Sequence, residues 1–266
     1  MANFDDQVMG LTGLTINGSS TAPSQAELTQ FLTDGAKEII NLLPEKLKEK
    51  CMAITALTGS GGQDLDGFGE VMFISRETGD STTIYAPCRK IPSMYGGMAE
   101  DSSSLMYYGT ATDPVYWIDG TGDASKLYVK PDPTANSDAK IFHISYPSVA
   151  YNDNGTIANF PDEAEYLVVL YAAIKSLQSA MGEMNASIVH SDQDGSYSAI
   201  SSLSQGWENV RFWLENEEDT EMSQGTINAL SAELQQFVTE YQWYQGQQTK
   251  LQQDYDKGLA ALKGGQ

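Results

Sequence analysis

The chain has 266 residues, 41% of them hydrophobic, enough to build a real core in one large domain or two smaller ones. Its 36 Asp and Glu against 15 Lys and Arg leave a formal net charge of -21, which argues against a surface that grips nucleic acid, because phosphate contacts need clustered cations. The opening residues 1–6 carry neither a basic run nor an apolar segment, so no secretory leader is expected, and the two cysteines, Cys51 and Cys88, stand far apart and read as packed thiols.

Residues 1–23 are polar and rich in Gly, Ser, Thr and Asn, with Leu11, Leu14 and Ile16 as the only anchors, and they read as an extended N-terminal arm. Ser24 and Glu27 then stand at capping-box spacing, and Leu28, Phe31, Leu32, Ala36, Ile39, Ile40 and Leu43 follow at helical spacing until Pro44. This helix, within 24–48, forms one part of an expected helical core.

Over 49–155 the pattern changes to short β-like runs at 71–74, 82–85, 115–118, 126–129 and 141–146, each bounded by Gly, Pro, Asp or Asn. Asp119-Gly120-Thr121-Gly122-Asp123 reads as a hairpin connection, and Pro131-Asp132-Pro133-Thr134 as a wider turn. The region is expected to be a small antiparallel β module inserted into the helical core.

The core resumes over 156–184. Pro161, Asp162, Glu163 and Glu165 signal a helix start: proline loses nothing where an amide is unsatisfied anyway, and the carboxylates face the positive end of the helix dipole. From Tyr166 to Ile174 hardly a polar group appears, so the helix is expected to be buried on nearly every face, yet it is too short and too acidic in its flanks to span a membrane.

Residues 196–266 read as a long helical hairpin. A first seam runs through Ile200, Leu203, Trp207, Val210 and Leu214. After the acidic turn 217–221, a second runs through Ile227, Leu230, Leu234, Phe237, Tyr241, Tyr244, Leu251, Tyr255 and Leu262, lapsing at Gln248 and Gly258. A seam this long needs a partner, either the preceding helix or the same helix of a neighbouring subunit. Trp207, Trp213, Tyr241, Trp243 and Tyr244 are the interface candidates, with packing inside one hairpin as the competing role.

The chain offers little that would carry chemistry. Its two histidines, His143 and His190, lie in unlike contexts without carboxylate or thiol at ligand spacing, so no metal site is expected and His143 reads as a hydrogen-bonded structural residue. Gly59-Ser60-Gly61-Gly62 lacks the following Lys-Ser or Lys-Thr of a phosphate loop and reads as a hairpin tip, while Asp192-Gln193-Asp194-Gly195 lacks the later ligands of a calcium loop. Tyr107, Tyr108, Tyr116, Trp117, Tyr128 and Tyr146 make the β module aromatic, which suits either recognition or strand-face packing. Asp113, Asp119 and Asp132 are the only aspartates near enough to those aromatics to test as a glycosidase pair. No catalytic residue, cofactor or metal is expected.

The residues Ile91-Pro92-Ser93-Met94-Tyr95-Gly96, Thr112-Asp113-Pro114-Val115-Tyr116-Trp117 and Ala158-Asn159-Phe160-Pro161-Asp162-Glu163, together with the order of elements, resemble virion structural proteins of marine tailed phages. The wider architecture is similar to head-to-tail adaptors, in which a helical core carries a β insertion. That resemblance implies an α+β chain without enzymatic activity, a homo-oligomeric ring, commonly a dodecamer, in the virion neck, assembled in the host cytoplasm. It implies the portal protein and tail, nozzle or fibre proteins as partners, with no membrane. DNA would pass through the ring unread, along a wall whose negative charge keeps it from sticking. A fibre-attachment or capsid-decorating protein at the virion periphery is the alternative.

Overall fold

The computed structural model describes residues 2–18, 22–79, 83–120, 125–189 and 220–264. The chain forms two compact units, one of residues 1–39, 149–156 and 163–266, the other of residues 40–148 and 157–162. Its helices are α1 (Phe4–Thr12), α2 (Gln25–Leu42), α3 (Glu45–Lys48), α4 (Asp162–Val189) and α5 (Thr220–Gly264). The strands are β1 (Met52–Leu57), β2 (Gln63–Asp64), β3 (Phe68–Glu77), β4 (Tyr85–Pro87), β5 (Arg89–Lys90), β6 (Val115–Asp119), β7 (Lys126–Lys130) and β8 (Ala139–Ser145).

The helical unit corrects the N-terminal reading, because residues 4–12 are a helix and not part of an extended arm. Phe4, Val8 and Thr12 recur every fourth residue and are all buried; the Thr12 hydroxyl donates to the Val8 carbonyl at 2.8 Å, so this polar side chain enters the core satisfied. Helix starts leave amides without partners, and here Phe4 and Asp5 donate theirs to the Asp153 and Tyr151 carbonyls at 3.2 and 3.0 Å. Gly13 ends α1 in the left-handed conformation at φ 69°, donating to Met9 O. Ile16 is buried as an anchor should be, whereas Leu11 is exposed.

The capping box of α2 is formed as the spacing predicts. Glu27 Oε2 accepts from the Ser24 amide at 2.8 Å and hydroxyl at 2.9 Å, and the Glu27 amide donates to Ser24 Oγ at 3.3 Å. Further along α2, the Val149 amide donates to Thr33 Oγ1 at 3.1 Å, and the Tyr151 amide to Thr29 Oγ1 at 3.3 Å. These two threonines fix the returning segment 149–151 beside the helix.

Helix α4 is buried on more than one stripe. Leu167 and Val168 are adjacent in sequence and both fully buried, as are Ala172 and Ala173 further on, so a single 100° face does not account for the burial. Each such Leu or Val contributes roughly 1.5–3 kcal/mol relative to exposure. Small residues let neighbours in closely: a Cβ on Gly35 would lie 2.8 Å from the Tyr171 ring. Among the described residues no helix is long and apolar enough to cross a membrane.

The β unit holds two four-stranded sheets, ordered β1-β8-β3-β4 and β2-β7-β6-β5. The core explains why there are two: Leu57, Ile74, Ala139 and Ile141 of the first sheet pack against Leu127 and Val129 of the second, side chains alternating inward along each strand. The β6–β7 hairpin forms where expected, with Asp119 opposite Lys126. The module is not wholly antiparallel, however, since β5 pairs with β6 in parallel. The strand expected at 82–85 instead runs from Tyr85 to Pro87, because Thr83 sits at φ 56° with its amide held by Glu77 Oε1 at 2.6 Å, a turn geometry that no strand continues through. The remaining connection is locked by Arg76, which is buried and donates to the carbonyls of Glu77, Pro131 and Asp132.

Candidate interface surfaces

Helix α5 has 45 residues, about 67 Å at 1.5 Å per residue. Its second half is docked within the helical unit. Leu251 and Tyr255 are buried on the predicted seam, and the lapse at Gly258 is the point of nearest approach, where a Cβ would lie 2.5 Å from Leu167 Cδ2 and collide with the Tyr166 hydroxyl. The Tyr255 hydroxyl donates to Glu38 Oε1 at 3.4 Å and its ring lies 6.2 Å from that of Tyr171. Burial, then the Glu38 carboxylate, pushes the Tyr255 phenol well above its ordinary value. The seam therefore has a partner for its C-terminal stretch, and that partner is the chain's own α2 and α4.

Toward the N-terminal half of α5 two members of the seam, Leu234 and Tyr241, are exposed, and Val238, which lies off the seam, is exposed between them, the three spaced by four and three. Of the five interface candidates, Trp207 and Trp213 lie outside the described residues, as does the first half of the expected hairpin. Trp243 is divided between the two roles: its indole edge meets Gly13, with Cη2 3.2 Å from where a Cβ would be, yet the residue is 48% exposed. Tyr244 is half-buried against Trp243, ring centroids 5.2 Å apart, and its hydroxyl donates to Glu240 at 3.3 Å. Tyr241 remains at the surface. A shallow groove of about 400 Å³ opens between Gly10 and Leu11 of α1 and Tyr166, Val169 and Leu170 of α4.

In the β unit the aromatic residues are mostly packed together. Trp117 stacks on Tyr128 at 5.4 Å, Tyr107 on Tyr95 at 4.3 Å, and the Tyr146 hydroxyl donates to Asn41 at 2.9 Å. What reading the sequence did not single out is the apolar surface beside them, Met94, Met98, Leu105 and Met106, all exposed. Methionines spaced four apart before a Leu-Met pair were the available signal, masked because the stretch has no helical or strand period.

The groups considered for chemistry are occupied locally. His143 is buried and stacked on Phe68 at 3.8 Å; its Nδ1 donates to the Ile144 carbonyl at 3.0 Å, which leaves Nε2 to accept from the Thr55 hydroxyl at 3.1 Å. Asp113 pairs with Arg89 at 3.2 Å, Asp132 with Lys130 at 2.7 Å, and Asp119 accepts from the Gly120 amide at 2.9 Å. Each carboxylate thus serves its own loop. Cys51 and Cys88 are free thiols, raised by burial to about 11 and about 12, against the opposing pull of Lys48 and Arg76. Among the described residues no group of three or more His, Cys, Asp or Glu could hold a metal ion.

No curated protein matches the chain. A family model does, over residues 7–209, a range that takes in α2 to α4 and the strands β1 to β8 but not α5. The chain belongs to the SU10 adaptor protein family, and is a structural adaptor component of a phage virion.

Proposed function

We propose that this protein is a non-enzymatic subunit of a head-to-tail adaptor ring, commonly of twelve copies, seated between portal and tail, through which DNA passes. The observation that carries the reading is the adaptor family match across residues 7–209. Two properties agree with it. The net charge of -21 suits a channel wall along which DNA slides instead of binding. A long α5 that is docked at one half and apolar on the exposed face of the other suits a subunit that finishes its packing only on assembly. Portal protein on one side and tail, nozzle or fibre protein on the other are its partners, and assembly takes place in the host cytoplasm.

Light scattering of the purified chain, alone and with portal protein, tests the proposal. The expected result is a ring of about a dozen copies formed with the portal. A stable trimer that ignores the portal would overturn it in favour of a fibre-attachment or capsid-decorating protein, since trimeric coiled coils are the usual base of such proteins.

A further inference from the structure

Between β5 and β6 the chain forms a loop that is tightly built on the inside and apolar on the outside. A 3₁₀ helix, Ser93–Ala99, sits with Gly96 against the Trp117 indole, where an added Cβ would lie 2.7 Å from ring atoms. The Tyr95 and Tyr107 rings stack at 4.3 Å and bring the two arms of the loop side by side. The Gly109 amide donates to Ala99 O at 3.1 Å, the Tyr108 amide to Ser104 O at 3.1 Å, and the Arg89 guanidinium to Met106 O at 2.8 Å. On this fixed frame Leu105 is 99% exposed, Met94 77% and Met106 70%. Apolar side chains held outward by an ordered loop mark a contact surface, and methionine adapts its shape to whatever covers it. Because the frame is already ordered, docking there costs little further entropy.

Several charges around this loop are paired in place, while Asp101 within it accepts from the Ser103 amide and hydroxyl. Arg89 pairs with Asp113, and Lys130 with both Glu100 and Asp132. In a chain of net charge -21, two copies repel one another over most of their surfaces, and a patch where Glu100, Asp113 and Asp132 already have cations repels less. The chain also supplies a surface to meet it: the exposed stripe Leu234, Val238 and Tyr241 of α5, beside the half-buried seam residues Phe237 and Tyr244. Glu240 beside that stripe and Lys90 beside the loop are both exposed and of opposite sign.

We propose that the Met94–Met106 loop of one copy docks on the Leu234–Val238–Tyr241 stripe of a neighbouring copy. Two unlike surfaces that fit each other make a head-to-tail contact, which closes into a ring where the rotation between copies closes, whereas a self-complementary patch stops at a dimer. The proposal rests on the reading of the chain as a self-assembling adaptor, and names the surfaces that do the assembling.

Sedimentation of the full chain over a concentration series separates the two. Leu105→Asp with Met106→Asp, and separately Leu234→Asp with Val238→Asp, change only exposed positions, and circular dichroism checks that each variant is folded. The expected result is wild-type association beyond a dimer, weakened at least about tenfold by either pair. Cross-linking adds a direct readout, since the native thiols are buried or half-buried: a mixture of Leu105→Cys and Val238→Cys chains should give a mixed disulfide dimer on mild oxidation, and neither chain alone should. Assembly unaffected by one or both pairs overturns the docking assignment and leaves the adaptor reading standing. A wild-type chain that stays monomeric, even with portal protein added, removes both.

Discussion

The two units are stabilised in opposite ways. The helical unit carries 21 Asp and Glu against 6 Lys and Arg, net -15, yet its described core holds no charged side chain; Thr12 and Ser176 are its only buried polar residues, and both bond back to their own helix. The β unit carries 15 against 9, net -6, and buries Arg76, Glu77 and His143. Helices satisfy their own backbones, so an apolar bundle closes without polar help, and its acids are left for the surface. Two small sheets joined by long loops leave carbonyls that only side chains can reach, and Arg76 meets three of them. Surface charge is therefore concentrated in the unit whose interior is indifferent to it, while the unit with the apolar loop has the smaller excess and pairs Asp113 with Arg89, and Glu100 and Asp132 with Lys130.

This contrast predicts that the units respond separately to core damage. The largest effect is expected from Ile141→Ala, which removes a fully buried side chain shared by both sheets and should cost about 3 kcal/mol. Cys51 and Cys88 both lie in the β unit and, being held well above the ordinary thiol value by burial, are slow to react while it is closed. Their labelling in the variant should accelerate by about a hundredfold, with the helical circular dichroism transition unmoved. If both signals shift together, the units unfold as one and the contrast is not energetic.

The reverse perturbation is Arg76-sparing and confined to the bundle. Gly258→Val would drive a branched side chain into Leu167 and Tyr166, and overpacking of this kind costs about 2 kcal/mol. The helical transition should move to lower temperature while thiol labelling stays at the wild-type rate. A variant as stable as wild type would mean that α5 is not held at this point. Arg76→Met is expected to fall between these two in size and to act on thiol labelling alone, because it strands three carbonyls in the β unit.

How much of this was readable without coordinates depended on whether burial followed a period. Helix α4 was legible because an apolar run behind Pro161 and two acids has no other home, and α2 because Ser24 and Glu27 fix its first turn. Helix α1 was not, because its inward face is Phe4, Val8 and a threonine, set in a polar, Gly-rich stretch whose more obvious apolar residue, Leu11, points outward. The lapse at Gly258 was read as a gap in the seam, whereas it is the place where only a hydrogen fits beneath Tyr166 and Leu167. Trp243 stands out in the sequence as an interface candidate, but the neighbour its indole edge meets, Gly13, lies at the far end of the chain, and no local pattern announces such a pair. The exposed loop at Met94–Met106 was missed because outward apolar residues on an irregular frame carry no periodicity at all.

The smallest effect concerns the helix cap, and it distinguishes surface electrostatics from packing within the acidic unit. Ser24→Ala removes the hydroxyl that accepts from the Glu27 amide and donates to the Glu27 carboxylate, leaves the backbone amide of residue 24 on that carboxylate, and should cost about 1 kcal/mol near neutral pH. The Ser24 amide and then its hydroxyl hold the Glu27 carboxyl below its ordinary value of 4.5. A carboxylate depressed in the folded state adds stability that is present above the unfolded value and disappears as pH falls through the folded one. The wild type should therefore lose part of its advantage over Ser24→Ala between about pH 5 and the folded value of Glu27, with the two acid limbs converging. Because Glu27 is exposed, the converging part should be a minor share of the total and should shrink further in high salt. A difference that holds constant down to pH 2 would mean that the Ser24 hydroxyl works through the Glu27 amide alone, with its bond to the carboxylate contributing nothing.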